Sequence, residues 1–252
     1  MHKKTNLIVM MGALLVAATL AVRAQDPAPA DGPGYREPPT KTLLDYWKVG
    51  GPTMYPIALC SVVAIAFTIY CGIQYTEKKM IRPDLLPVLR DSLGKLDVPG
   101  TLSICNGNPS ILTNLLAAGL NRIGESGVVD VPAMEKAMEE ASVEEVAAGM
   151  KPLNYISIAS QIAPMLGLLG TVTGMIGAFN KIGMGKMGDP EALASNIGEA
   201  MITTAAGLMV AIPAMFAYFA LKGVYIANVS RISRVLGDML HHLAESTLRQ
   251  EA

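Results

Sequence analysis

The segment Ala163–Gly177 has the sequence APMLGLLGTVTGMIG and is the most informative stretch for predicting the fold. It lies in an uncharged window between Lys151 and Lys181, which is longer than the roughly 20 apolar residues that a helix needs to cross a bilayer. Two more uncharged windows of sufficient length occur between Lys48 and Glu77 and between Glu199 and Lys222. The three windows predict transmembrane helices over residues 54–75, 156–179 and 201–221.

The composition agrees with a membrane protein. Of 252 residues, 51% are hydrophobic and 16% are charged, whereas soluble domains carry about 25% charged residues. The mean hydropathy of +0.38 is correspondingly high. A net charge of −1 provides no basic field for nucleic acid, so that class of partner is excluded. We therefore predict an all-α integral membrane protein with three transmembrane helices, long cytoplasmic extensions and a helical cytoplasmic loop region.

The first 24 residues have the pattern of a secretory signal peptide. Two lysines precede an apolar run over residues 7–22, and the small residue Ala24 ends it before Gln25. An uncleaved membrane anchor is the alternative, and both interpretations place Gln25 outside the cytoplasm. Residues 25–45 are rich in Pro, Ala and Gly and are predicted to form a disordered periplasmic tail.

Basic residues give the predicted orientation. Lys78, Lys79 and Arg82 follow the first span, and Lys222 and Arg231 follow the third, so the positive-inside rule places both flanks in the cytoplasm. The N-terminus is then periplasmic and the C-terminus cytoplasmic. Outside the membrane, the chain is predicted to expose a short loop over about residues 180–195, and a cytoplasmic C-terminal helix is predicted over residues 222–245.

Most of the polar mass lies in the predicted cytoplasmic region, residues 76–155. Helical patterns occur at Leu85–Leu96 and Ile111–Arg122, and no strand pattern appears. Asp130, followed by Val131 and Pro132, is a helix start signal. From there we expect one helix of roughly forty residues to run into the second span. Its acidic residues are also explained by an ordinary solvated face.

Small and weakly polar residues form a stripe along each of the last two predicted spans. In the second span the stripe is Ser160, Pro164, Gly167, Thr171, Gly174 and Ala178; in the third it is Ala200, Thr204, Gly207, Ala211 and Ala214. Such stripes either allow close helix packing or line a pore. We predict that packing uses Pro164, Gly167, Gly170, Gly174, Gly207 and Pro213.

Thr171 and Thr204 are candidate pathway residues because they are predicted to lie at one depth. Thr171 is eight residues before Phe179, about 12 Å along a helix, and Thr204 is seven residues beyond Ile197, about 10.5 Å. In antiparallel helices both hydroxyls would lie in the outer half of the bilayer. The alternative is that each hydroxyl bonds a backbone carbonyl of its own helix.

Glu199 is the one ionisable residue close to the predicted membrane interior, where a carboxylate is costly and therefore a functional candidate. Asn196 and Glu199 also have the spacing of a capping box, which would make Glu199 a helix-start residue. Against this, Asp189, Pro190 and Glu191 form a stronger start signal. A helix that begins there places Glu199 well inside it.

The motifs APMLGLLGTVTGMI (163–176), GEAMITTAAGL (198–208) and AIPA (211–214) resemble the ExbB/TolQ/MotA proton-channel family, and ExbB most closely. The resemblance covers about residues 45–245, and residues 46–245 form the predicted channel domain. It implies an inner-membrane homo-oligomer, a pentamer, around an ExbD/TolR-like single-span partner that carries the titrating aspartate. Thr171, Thr204 and Glu199 match the channel threonines and membrane glutamate of the family.

The family resemblance further implies that proton-motive force does work on a TonB/TolA-like periplasmic protein, as in TonB-type energised outer-membrane uptake. A TolQ-like role in maintaining the cell envelope is the alternative within the family. No residue in the sequence identifies the load or transported substrate.

The sequence leaves two other functional classes to consider, a membrane scaffold and an enzyme. A non-conducting membrane scaffold would use the same stripes for packing alone. An enzyme is disfavoured because the sequence has no nucleophile motif, no metal-ligand spacing and no Lys of a phosphate loop, so no cofactor or metal is predicted. The run Thr171–Gly174 superficially resembles a potassium filter but lacks the tyrosine and glycine that would follow.

Overall fold

The computed structural model describes residues 50–126, 130–183 and 190–251. These stretches are helical and contain no strand, which confirms the predicted all-α class. The predicted signal peptide and Pro-rich tail lie outside the described residues. The seven helices of the described stretches are α1 (Met54–Gln74), α2 (Glu77–Met80), α3 (Leu86–Gly94), α4 (Val98–Gly107), α5 (Ile111–Ser126), α6 (Val131–Gly183) and α7 (Pro190–Glu251).

Three of these helices, α1, α6 and α7, are long and apolar enough to cross a membrane. The spans predicted over 156–179 and 201–221 fall within α6 and α7, which are much longer than the spans alone, and the span predicted over 54–75 ends one residue beyond α1. Helix α6 has 53 residues rather than roughly forty, and α7 has 62. The predicted C-terminal helix over 222–245 is therefore part of α7, and the described parts of the predicted loop, residues 180–183 and 190–195, are helical. Residues 184–189, between α6 and α7 in sequence, are outside the described residues.

The shorter helices follow the predicted patterns with one addition. Helices α3 and α5 correspond to the patterns at Leu85–Leu96 and Ile111–Arg122. Helix α4 was not predicted. It begins after Asp97, whose carboxylate accepts a hydrogen bond of 3.0 Å from the Gly100 N–H, and Pro99 occupies its first turn. Asp130 caps α6 in the same way, because its carboxylate accepts from the Ala133 N–H at 3.2 Å.

The chain divides into two compact units. The first comprises the described residues of 50–68 and 155–219, where the apolar parts of α1, α6 and α7 pack together. Buried alanines dominate its interior, including Ala159, Ala163, Ala200 and Ala211. Many large apolar side chains of these helices remain exposed, as a lipid or protein environment would require. Examples are Leu59, Val62, Met165, Leu168, Val172, Met201, Leu208 and Ile212.

The second unit comprises the described residues of 69–154 and 220–252. Its interior is built from leucines and methionines of α3, α5, α6 and α7, such as Leu89, Leu116, Met134 and Met239. The rings of two buried tyrosines, Tyr75 and Tyr225, pack against each other with centroids 4.9 Å apart and planes tilted by 52°.

Both buried tyrosines bind the backbone of α6. The hydroxyl of Tyr75 donates to the Gly149 carbonyl at 2.6 Å, and that of Tyr225 donates to the Val146 carbonyl at 2.9 Å. Tyr75 and Tyr225 therefore join the end of α1 and helix α7 to α6, whereas Tyr55 and Tyr155 are exposed.

Candidate functional site

Glycines bring α6 and α7 into close contact within the first unit. A Cβ atom on Gly167 would lie 3.0 Å from the Thr203 carbonyl and from the Thr204 Cα. One on Gly207 would lie 2.5 Å from the Ala163 carbonyl, and one on Gly174 would lie 2.9 Å from the Ala200 Cβ. Side-chain contacts of at least 3.4 Å are ordinary, so these positions leave no space for a methyl group. The backbones of the two helices therefore approach each other as closely as in small-residue membrane packing motifs.

Gly170 makes room for Thr203 rather than for a backbone atom. The Thr203 Cβ lies 2.7 Å from where a Gly170 Cβ would be, and the Thr203 side chain is 1% exposed. Its hydroxyl donates to the Ala200 carbonyl at 2.8 Å, within its own helix. Thr203 is thus the buried threonine of the pair Thr203 and Thr204, whereas the sequence stripe had selected Thr204.

Thr204 makes a hydrogen bond between the helices. Its hydroxyl donates to the carbonyl of Gly167 at 3.0 Å, 37 residues away in sequence. For Thr204, the alternative of a bond within its own helix is therefore wrong. For Thr171 that alternative describes the structure, because its hydroxyl donates to the Leu168 carbonyl at 2.6 Å.

The two candidate threonines lie about one helical turn apart along the helix pair. Thr204 is bound to Gly167, which is four residues, or about 6 Å, from Thr171 along α6. Both side chains are half-buried. The Thr204 hydroxyl thus lies at the glycine-packed contact of α6 and α7, and Thr171 lies about one turn away along α6.

Glu199 lies inside α7. It is the tenth residue counted from Pro190, where the helix begins, and Asn196 is also helical. The capping-box interpretation is therefore wrong, because a capping box requires Asn196 to precede the helix. The half-buried carboxylate of Glu199 contacts Gly51, which precedes α1.

Both prolines of the predicted packing set are helical. Pro213 is inside α7 and Pro164 is inside α6, and each is half-buried. Proline removes one backbone donor from the helix, which membrane helices tolerate when neighbouring groups compensate.

The chemistry available at this contact is hydrogen bonding and proton exchange. Hydroxyls both donate and accept hydrogen bonds, and a carboxylate can carry a proton. Within the part of the chain that the structure describes, no group of three His, Cys, Asp or Glu residues could hold a metal ion. The three predicted residues therefore supply two hydroxyls and one carboxylate.

Comparison with known sequences defines the class of protein. The MotA/TolQ/ExbB proton channel family matches residues 108–234, which is just over half of the chain and includes the Thr171, Thr204 and Glu199 positions. The chain belongs to this family. It is accordingly a membrane protein of a channel and transport family rather than of an enzyme family.

Within the family, the chain is similar to proteins of the ExbB and TolQ types. A putative biopolymer transport protein ExbB-like 1 of Synechocystis is 34% identical over 185 residues, which cover 71% of this chain and 70% of that protein. Biopolymer transport protein ExbB of Xanthomonas campestris is 40% identical over 85 residues, which cover 34% of each chain. Tol-Pal system protein TolQ of Haemophilus influenzae is 35% identical over 115 residues, which cover 46% of this chain and 49% of that protein.

Sequence reasoning missed two residues of this site. Thr203 was noticed only as a neighbour of the stripe, because an unknown helix rotation leaves two adjacent threonines equally eligible. Gly51 was not considered, although two glycines followed by Pro52 are a recognisable turn signal. Its contact with Glu199 joins residues far apart in sequence, and the sequence alone does not show such a contact.

Proposed function

We propose that this chain is an ExbB-like subunit of an inner-membrane proton channel or motor. In this proposal it works with an ExbD/TolR-like single-span protein and converts proton-motive force into work on a TonB/TolA-like periplasmic protein. The driven process is energised uptake across the outer membrane. Movement of one charge across the membrane releases about 2.3 kcal/mol per 100 mV, which is the energy available for that work.

The observation that carries the proposal is the polar composition of the glycine-packed contact between α6 and α7. Thr204 binds Gly167 across the contact, Thr171 lies one turn away, and Glu199 lies within the same helix as Thr204. Thr171, Thr204 and Glu199 are proposed to line the proton pathway. Their chemistry supports this role because all three side chains can exchange hydrogen bonds with water or with a carboxyl group.

A partner is required because the sequence supplies too few titratable groups. No charged residue occurs between Lys151 and Lys181 or between Glu199 and Lys222. A proton relay across hydrocarbon needs such a group near the middle of the membrane. A single-span partner with a membrane carboxylate would provide it, and the threonine hydroxyls would hydrogen-bond to that carboxylate.

The subunit is proposed to form a homo-oligomer, a pentamer, around the partner. Three spans are too few to enclose a pore, and the exposed apolar faces of α6 and α7 need neighbours. Native mass spectrometry of the detergent-purified protein measures the subunit number. A stable monomer would contradict the pore.

The proposed orientation places the N-terminus in the periplasm and the C-terminus in the cytoplasm. The basic residues that follow α1 and the third span support it. A reporter fused after residue 120 should then behave as cytoplasmic, and one inserted near residue 185 as periplasmic. N-terminal sequencing that finds Gln25 first would support cleavage of the signal peptide.

The experiment that tests the function compares Thr171→Val, Thr204→Val and Glu199→Gln. Each variant is coexpressed with its partner, and growth or transport that depends on proton-motive force is measured beside blue-native gels. The proposal expects output to collapse while assembly persists. Normal output from both threonine variants would favour a non-conducting scaffold, in which these residues serve packing alone.

A TolQ-like role in cell-envelope maintenance is the second candidate, and the match to the Haemophilus protein favours it. The two roles differ in the load rather than in the channel. Expression in hosts that lack either system separates them. An ExbB-like unit restores energised uptake, and a TolQ-like unit restores resistance to detergent.

A further inference from the structure

We propose that Gly51 is the positioning residue for the Glu199 carboxylate. This inference rests on the proposed function, since it explains how one member of the pathway is held. It starts from a contact that joins the turn before α1 to the interior of α7. The Oε1 atom of Glu199 occupies the place that a Cβ atom on Gly51 would take.

The turn around Gly51 has a defined backbone. The Met54 N–H donates to the Gly51 carbonyl at 3.2 Å, and the Thr53 hydroxyl donates to the Gly50 carbonyl at 3.3 Å. Gly51 itself has φ of +65°, a left-handed conformation that glycine adopts without steric cost. Two requirements therefore meet at this residue, one for its backbone angle and one for the space beside it.

The contact limits where the carboxylate can be. A glutamate side chain has several rotatable bonds and loses considerable freedom when it is ordered. With its Oε1 atom against Gly51, the Glu199 side chain is directed towards the turn that precedes α1. Any side chain at position 51 would displace the carboxylate from that position.

The two requirements at position 51 can be separated by substitution. Asparagine accepts left-handed backbone angles more readily than other residues with a Cβ atom, so Gly51→Asn preserves the turn while it fills the space. Glu199→Ala removes the displaced carboxylate. The double variant Gly51→Asn with Glu199→Ala therefore restores room at the contact without changing the backbone requirement.

The test measures the melting temperature of the detergent-purified full-length oligomer for the wild type, both single variants and the double variant. We expect Gly51→Asn to lower Tm by about 1–2 °C in the Glu199 background, because the displaced atom is the end of a flexible side chain, and by less in the Glu199→Ala background. Equal losses in both backgrounds, or no loss in either, would overturn the inference. If Gly51→Asn alone does not assemble, recovery of assembly in the double variant supports the inference and failure to recover overturns it.

A functional measurement distinguishes this inference from the proposed function. Proton-driven output should fall about 10- to 100-fold in Gly51→Asn, because a displacement of about 1 Å in a reacting group is enough for such a loss. Glu199→Gln tests the pathway separately. If Tm shows the coupling but Glu199→Gln has full output, Gly51 positions a carboxylate that is not part of the proton pathway.

Discussion

Thr204 of α7 donates a hydrogen bond of 3.0 Å to the carbonyl oxygen of Gly167 of α6. The Thr204 side chain can reach the backbone of α6 because Gly167 has no side chain and the two helix backbones approach closely there. Thr204 therefore has two separable roles, one in holding the helix pair together and one in the proposed pathway.

Thr204→Val should destabilise the protein, whereas Thr171→Val should not. The valine at 204 has a similar volume but no donor, and interhelical hydrogen bonds in membranes contribute about 0.6 kcal/mol on average. Thr171 bonds within its own helix, so its loss leaves the helix contact intact. Thr204→Ser, which retains the hydroxyl, is the control. Thermal unfolding of each variant measures the difference, and a Thr171→Val variant as unstable as Thr204→Val would contradict the assignment.

Gly207→Ala should separate α6 and α7 and lower stability. The new methyl group would meet the Ala163 carbonyl at 2.5 Å, and such overpacking costs about 1–3 kcal/mol. Gly198→Ala is the matched control in the same helix, since nothing lies within 4 Å of its added Cβ atom. Its expected effect is neutral or slightly stabilising, because alanine favours helix over glycine. Similar melting temperatures for the two variants would show that the close contact is not needed for stability.

Tyr75→Phe and Tyr225→Phe should each cost about 1 kcal/mol, the usual net value of one buried hydrogen bond. Because the two rings contact each other with centroids 4.9 Å apart and bind the same stretch of α6, the double variant should depart from additivity by about 0.5 kcal/mol or more. Tyr155→Phe, at an exposed position, is the control. A double-mutant cycle from thermal unfolding gives the coupling, and strict additivity would argue against a joint role.

Stability should fall between about pH 9 and pH 11 because of Cys105. Burial raises the pKa of this thiol from 9.0 to about 11. The folded state therefore favours the neutral thiol, so its stabilising contribution is complete below pH 9 and is lost as the pH rises to 11. Two pKa units correspond to roughly 3 kcal/mol at most. Cys105→Ala should flatten the pH dependence of Tm in this range, and an unchanged slope would exclude Cys105 as its cause.

The architecture was accessible from sequence because its signals are local. Uncharged windows give the spans, and the start signal Asp130 to Pro132 gives the beginning of α6. Helix α4 has the same signal, Asp97 followed by Val98 and Pro99, but it was missed. Glycine, serine, threonine and asparagine within α4 lower its helix propensity. The helical pattern is therefore weak, and the cap at Asp97 was not recognised as a helix start.

The geometry of the candidate site was accessible only in part. Small-residue stripes indicated that α6 and α7 have faces suited to close contact, but not their rotation about their own axes. That rotation decides that Thr203 is buried and that Thr204 reaches Gly167. The length of α7 was also underestimated. The charged residues after the third span suggested a separate helix, although no helix-breaking signal lies between the span and those residues.

The prolines of the two helices bear on mechanics. Bending an α-helix is easiest where a proline has removed a backbone hydrogen bond. Pro164 stands at one end of the close-packed stretch Ala163–Gly174, and Pro213 lies six residues beyond Gly207, at the same end of the contact. We therefore expect the glycine-packed section of the helix pair to be stiffer than the section at the prolines. A force applied to it would be absorbed as flexure at the prolines, and the threonine-bearing section would keep its shape under load.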